Sequence, residues 1–185
     1  MQGQKWNKEA ISQFWSYFKN RAFLIPHQVV TDVTLISFIN LKNSGYKYVI
    51  FDKDNTLTAP YSEEFYSDSI KEKCDEAIQI FGEKNVAIFS NTLGFGNNHQ
   101  KLFKNIPIIQ HKIQKPGGIE EVIHHFSSNS DQKTLDVQTK EIICVGDRVL
   151  TDVYFGNKYD MYTIYTNPLT KRGENNVVRC VSFLY

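Results

Sequence analysis

The sequence predicts an α/β fold, a three-layer doubly wound parallel sheet with helices on both faces. Three observations carry that prediction. Short, continuously apolar runs such as Tyr48-Val49-Ile50-Phe51 read as strands covered on both sides. Segments with apolar residues at helical spacing alternate with those runs, the pattern of right-handed crossovers in a parallel sheet. Polar and acidic residues close the runs, where open α/β sheets bind ligands beyond the carboxyl ends of their strands.

The elements follow in order. Tyr46–Phe51, entered from Gly45, is the first strand of the expected sheet. Ser67–Phe81 is a helix, with Ile70, Cys74, Ala77, Ile78 and Phe81 on one stripe and Gly82 as its stop. Asn85–Ser90 is a second strand. His99–Lys104 reads as a helix and Ile106–Ile109 as a short third strand. Gly117-Gly118 precedes a helix carrying Ile119, Val122, Ile123 and Phe126, and the polar stretch Ser127–Gln138 lacks periodicity and reads as a loop. Glu141–Gly146 and Met161–Tyr165 are the fourth and fifth strands.

Composition narrows the class. At 185 residues, 41% hydrophobic and 14% aromatic, the chain can bury a proper core and is not a disordered segment. A formal net charge of +1 gives no global attraction to nucleic acid. Cys74, Cys144 and Cys180 are odd in number and scattered, so they form neither a zinc spacing nor a disulfide framework, and a reducing compartment is expected. No run approaches the roughly 20 apolar residues of a membrane span, so the chain reads as soluble or peripheral.

From Glu9 to Leu24, Ile11, Phe14, Trp15, Phe18, Ala22 and Phe23 fall on or near one helical stripe among Lys5, Lys8, Lys19 and Arg21. Such a stretch packs on a domain, lies in a membrane interface, or forms part of a mitochondrial targeting segment. The chain therefore divides into an N-terminal amphipathic extension, residues 1–40, packed on the domain or on a membrane, and one domain, residues 41–185.

The strand ends carry the chemistry. The first delivers Asp52 and Asp54, two carboxylates two residues apart at a polar turn. Such a pair suits phosphoryl transfer, one carboxylate attacking phosphorus and the other handling the leaving-group proton. The second strand delivers Ser90 and Asn91, the segment after the third Lys115, and the fourth Gly146, Asp147 and then Asp152. A turn, a solvated lysine or a helix cap explains any one of these, but not the ordered set.

That set resembles the haloacid dehalogenase superfamily of aspartate-nucleophile phosphohydrolases. Its D-x-D-x-T motif matches Asp52, Asp54 and Thr56, and its strand-closing Ser or Thr matches Ser90. Its Lys before Pro matches Lys115, and its G-D-x-x-x-x-D matches Gly146, Asp147 and Asp152. The resemblance implies Asp52 as nucleophile and Asp54 as acid and base, with Ser90 and Lys115 on the phosphoryl oxygens. It also implies Mg²⁺ held by Asp52, the backbone carbonyl of Asp54 and Asp147, with Asp152 meeting either a metal-bound water or Lys115. Thr56, Asn91 and Arg148 are expected to bind phosphate or substrate. Only 35 residues separate Asp54 from Ser90, and 24 separate Ser90 from Lys115. Neither interval has room for an inserted cap domain, so the site is expected to be open and to suit a substrate whose bulk stays outside.

Longer stretches are similar to the mitochondrial phosphatidylglycerophosphate phosphatases and their bacterial relatives. These are Phe51 to Tyr61, Gly146-Asp147-Arg148 with Thr151-Asp152, Leu24-Ile25-Pro26, Leu41 to Gly45, and Asn167-Pro168-Leu169-Thr170. The similarity implies removal of the terminal phosphate of phosphatidylglycerophosphate to give phosphatidylglycerol, on the route to cardiolipin. It implies a phospholipid substrate and peripheral attachment to the matrix side of the inner mitochondrial membrane, or a cytoplasmic place in a bacterium. Arg148, Lys171, Arg172 and Arg179 are candidates for the lipid's second phosphate, with surface solvation the plainer reading of each. Two other functions stay open: a phosphatase of soluble phosphoesters or phosphoproteins, and a subunit of a larger mitochondrial membrane complex.

Overall fold

Tyr48–Phe51 forms β2, the strand on which the rest of the sheet is assembled, in a computed structural model that describes residues 21–93, 103, 106–128 and 137–170. Val86–Ile88 (β3) and Ile142–Gly146 (β4) flank it, Tyr162–Thr166 (β5) lies beyond β4, and Gln28–Val30 (β1) forms the edge opposite β3. The order is β1-β5-β4-β2-β3, with every pairing parallel. The α/β sheet expected from the alternating pattern is the sheet observed.

Side chains alternate between two apolar layers, which is why the strand sequences are apolar throughout. Val49 and Phe51 of β2, with Ile143 and Val145 of β4, face the layer that holds Phe38 and Leu41 of α1 (Phe38–Asn43). Ile70, Cys74, Ala77 and Phe81 of α2 (Asp68–Phe81) complete that layer. Tyr48, Ile50, Ile142 and Cys144 face the opposite layer, against Val122 and Phe126 of α3 (Ile119–Ser128) and Phe155 of α4 (Tyr154–Lys158). Ser67 caps α2 by accepting the Ile70 N–H at 3.3 Å, and Gly82 ends the helix at φ 93°. Between Asp54 and Ser90 the chain forms α2, one 3-10 turn and β3, with no inserted domain.

Two features differ from the sequence reading and a third adds to it. Ile106–Ile109 is not a strand: it makes a single bridge, Ile108 opposite Ile88. Pro107 lends its carbonyl to the Ile88 N–H at 2.8 Å but has no N–H of its own to extend a ladder. Residues 28–30 form an outer strand of the sheet, ahead of the expected boundary at residue 40. Asn157 ties this region down, donating from Nδ2 to the carbonyls of Phe23 (2.9 Å) and Ile25 (2.8 Å) while its Oδ1 accepts from the Thr163 hydroxyl (2.8 Å). Finally, Val149–Val153 forms a wide π-type turn that runs into α4.

Most of the amphipathic stretch Glu9–Leu24, most of the His99–Lys104 helix, most of the 127–138 loop, and Lys171, Arg172 and Arg179 lie outside the described residues. No helix among the described residues is long and apolar enough to cross a membrane.

Candidate active site

Three neighbouring strands end on the predicted residues. Asp52 follows β2, and its N–H still bonds the Val145 carbonyl of β4 at 2.8 Å. Ser90 lies two residues beyond the end of β3, and the Phe89 N–H between them bonds the Phe51 carbonyl at 2.9 Å. Asp147 follows β4 directly. The ladder therefore places all three at the carboxyl edge of the sheet, on the neighbouring strands β4, β2 and β3.

The turn after Asp52 winds around one carbonyl. That of Lys53 accepts the N–H groups of Thr56 (3.3 Å), Leu57 (2.9 Å) and Thr58 (3.1 Å). Asn55 takes a left-handed conformation (φ 62°), which asparagine tolerates better than most residues. Its Oδ1 accepts from the backbone N–H (3.2 Å) and hydroxyl (2.9 Å) of Thr170, and its carbonyl from the Leu169 N–H (3.1 Å). The two family-like segments, 51–61 and 167–170, thus meet through Asn55.

Lys115 joins two of the acids. Its Nζ lies 2.8 Å from Asp52 Oδ1 and also pairs with Asp152 Oδ1, all three side chains being buried. The second oxygen of Asp152 accepts the Arg148 N–H at 3.0 Å. The π-type turn sets this geometry, carrying Asp152 back toward the start of its own loop. Asn91 fixes the backbone of Lys115, and His111 links the neighbouring segments, with Nε2 2.9 Å from the Ser90 carbonyl and Nδ1 3.0 Å from that of Ile113.

Asp52, Asp147 and Asp152 can each place one carboxylate oxygen within 4.8 Å of the others. Burial, with Asp52 and Asp152 close by, pushes the Asp147 carboxyl up to about 8. Burial raises Asp52 in the same direction, opposed by Lys115 and reinforced by Asp152. Burial works against charge on Lys115, but Asp152 and Asp52 outweigh it and hold the ammonium protonated. Ionised together, three buried carboxylates facing one ammonium would carry an excess of negative charge. Asp147 Oδ1 is also buried without a hydrogen-bond partner among the described residues. An all-oxygen donor set with an unpartnered carboxylate oxygen fits a hard divalent cation.

Asp52, Lys115, Asp147 and Asp152 thus form one cluster. Asp54 is buried too, but its carboxylate is engaged by Lys53 at 2.6 Å and by the Tyr61 N–H at 3.3 Å. The Ser90 hydroxyl lies 3.2 Å from that of Thr92. The Thr56 hydroxyl is buried without a partner among the described residues, and Asn91 binds backbone. A hollow of about 710 Å³ lies elsewhere, between Ile108–Lys112 and the outer face of α3, and none of these residues lines it. The sequence places Lys53 in a family-like stretch without a role of its own and gives no signal for His111. Both are polar residues beside motif positions or strand ends, and only their burial sets them apart.

Residues 8–170 match the family described as mitochondrial PGP phosphatase. The chain is 36% identical to phosphatidylglycerophosphate phosphatase 1, chloroplastic/mitochondrial, of Arabidopsis thaliana, over 97% of this chain and 51% of that protein. It is 33% identical to phosphatidylglycerophosphate phosphatase 1, chloroplastic, of Chlamydomonas reinhardtii, over 92% of this chain and 63% of that one. With a probable mitochondrial phosphatidylglycerophosphatase of Schizosaccharomyces pombe it shares 27% identity, over 97% of this chain and 91% of that protein. The chain spans about half the length of the first of these and under two thirds of the second. No solved structure matches it.

Proposed function

The chain belongs to the mitochondrial PGP phosphatase family, and from that premise we propose that it hydrolyses the terminal phosphate of phosphatidylglycerophosphate, releasing phosphatidylglycerol and inorganic phosphate. The observation that carries this reading is Asp52, buried at the end of a central strand, 2.8 Å from the Lys115 ammonium and grouped with Asp147 and Asp152. Asp52 attacks phosphorus and becomes an aspartyl-phosphate, which divides one difficult hydrolysis into two easier steps. Asp54 gives a proton to the departing glycerol oxygen, then takes one from the water that frees the phosphate.

Lys115 and Ser90 face the phosphoryl oxygens, where a fixed positive charge and a hydroxyl donor stabilise developing charge. Asp152, bound to Lys115 and to the Arg148 N–H, holds the ammonium in place. Asp52, Asp147 and the Asp54 carbonyl would hold Mg²⁺, which when bound offsets the repulsion between the acids and an incoming phosphate. Thr56 and Arg148 are the remaining candidates for substrate contact. The names of the relatives support a phospholipid substrate and a mitochondrial place of work. Peripheral attachment on the matrix side, with the lipid tails left in the membrane, accords with an open site.

The test is phosphate release from phosphatidylglycerophosphate in mixed micelles, with Mg²⁺ and with chelator, comparing the full chain with Asp52→Asn. Wild type is expected to be Mg²⁺-dependent and the variant nearly inactive, since an amide is a poor nucleophile and a weak metal ligand. Comparable activity in the variant would remove the covalent mechanism. Turnover of a water-soluble phosphomonoester far above that of the lipid would remove the lipid assignment.

A further inference from the structure

Lys53 is buried between the two catalytic-motif aspartates, its side chain 5% exposed, and its ammonium lies 2.6 Å from Asp54 Oδ1. An ammonium is rarely buried without an opposite charge. Here the partner is the carboxylate expected to move the proton. The Tyr61 N–H reaches the same oxygen at 3.3 Å, so among the described residues both hydrogen bonds that hold the Asp54 carboxylate fall on Oδ1. Lys53 itself is anchored through its carbonyl, which three turn N–H groups share. Its ammonium is therefore a fixed point from which Asp54 is oriented.

We propose that Lys53 is a positioning residue that assigns the two oxygens of Asp54 different tasks, Oδ1 for anchoring and Oδ2 for proton transfer. The inference rests on the reading of Asp54 as acid and base given above. In the first step an Asp52 oxygen bonds to phosphorus and the phosphorus–oxygen bond of the ester breaks. The electron pair leaves on the ester oxygen, which takes the proton carried on Asp54 Oδ2. In the second step the deprotonated Oδ2 takes a proton from water as the water oxygen bonds to phosphorus. The bond from phosphorus to Asp52 then breaks, restoring the carboxylate and releasing phosphate. With the Lys53 ammonium absent, the Asp54 carboxylate keeps only the longer Tyr61 N–H contact at 3.3 Å among the described residues, and the proton is presented less strictly along one direction.

The consequence is a dependence on leaving group. An alkoxide needs a proton to depart, whereas p-nitrophenolate leaves without one. Lys53→Met keeps the stem and removes the ammonium, and Lys53→Arg restores a cation. The experiment uses the full chain with Mg²⁺. It compares steady-state turnover of phosphatidylglycerophosphate with first-turnover release of p-nitrophenol from p-nitrophenyl phosphate. Lys53→Met is expected to lose about a hundredfold on the lipid, the scale of a misplaced catalytic group. Its loss on the aryl first turnover is expected to be several-fold smaller, and Lys53→Arg to recover most of the lipid activity.

Equal losses on both substrates, undiminished lipid turnover, or no recovery with arginine would each overturn the proposal. Thermal melting checks that Lys53→Met folds, and Lys53→Gln replaces it in the same comparison if it does not. A wild-type chain that leaves the lipid untouched would instead overturn the functional reading, and the role of Lys53 with it.

Discussion

Asn91 grips the backbone of Lys115 on both sides, its Oδ1 accepting the Lys115 N–H at 2.7 Å and its Nδ2 donating to the Lys115 carbonyl at 3.3 Å. The residue that follows the strand-closing serine thus sets the height at which the ammonium enters the acid cluster. Asn91→Ala is expected to cost about 1–3 kcal/mol, the penalty of leaving buried backbone groups unpaired. Urea denaturation gives that number. Lipid phosphatase turnover should drop about tenfold or more, in line with a displaced catalytic group; a variant with wild-type turnover would show that Lys115 holds its place unaided.

Stability in the absence of metal should depend on pH through the acid cluster. Asp147 holds its proton more tightly in the folded chain, up to about 8 against an ordinary 3.8. A group shifted this way stabilises the fold below its unfolded value and loses that contribution as pH rises through the folded one. Asp52 moves in the same direction. A chelated sample should therefore lose this stabilisation between about pH 4 and pH 8, and Mg²⁺, which competes with the proton, should restore more at the alkaline end. Melting temperatures with Mg²⁺ and with chelator, near pH 6 and near pH 8.5, test this. An equal Mg²⁺ increment at both would count against metal binding by these carboxylates.

Gly146 has no room for a side chain. A Cβ there would lie 2.4 Å from Asp152 Cγ and 2.5 Å from its Oδ2. The glycine that opens the fourth motif is therefore required by the close approach of Asp152. Gly146→Ala should push Asp152 off Lys115 and lower turnover about tenfold to a hundredfold, with weaker Mg²⁺ binding by calorimetry. Unchanged values for both would mean that Asp152 has slack to move.

Asn55→Ala and Asn55→Gly separate two contributions. Both remove the side-chain oxygen that Thr170 bonds, but glycine keeps the left-handed backbone without strain. Hydrogen exchange at Leu169 and Thr170 should quicken in both variants. Alanine should cost up to about 1 kcal/mol more than glycine in urea denaturation. Equal stability of the two would show that the backbone conformation at residue 55 is not what the asparagine supplies.

What the sequence determined by itself is local. Tyr48–Phe51 announces a strand buried on both faces because each neighbour in the chain points into a different apolar layer. Ser67 and Gly82 bracket α2 because a cap and a left-handed stop act within one helical turn. The order Asp52, Ser90, Lys115, Asp147 is legible for a related reason: a parallel sheet brings the carboxyl ends of its strands to one edge.

Tertiary structure decided what depends on partners far along the chain. Gln28–Val30 becomes a strand only because β5 offers it a ladder more than a hundred residues later, and three residues hold no periodicity to read. Lys53 looks like a solvated loop charge until the turn buries it against Asp54, and Asn91 like a turn former until Lys115 arrives beside it. A side chain's type and spacing report which face it prefers. Which group satisfies a buried charge or amide is settled only when distant segments pack, because the penalty for leaving it unpaired exists only once water has been excluded.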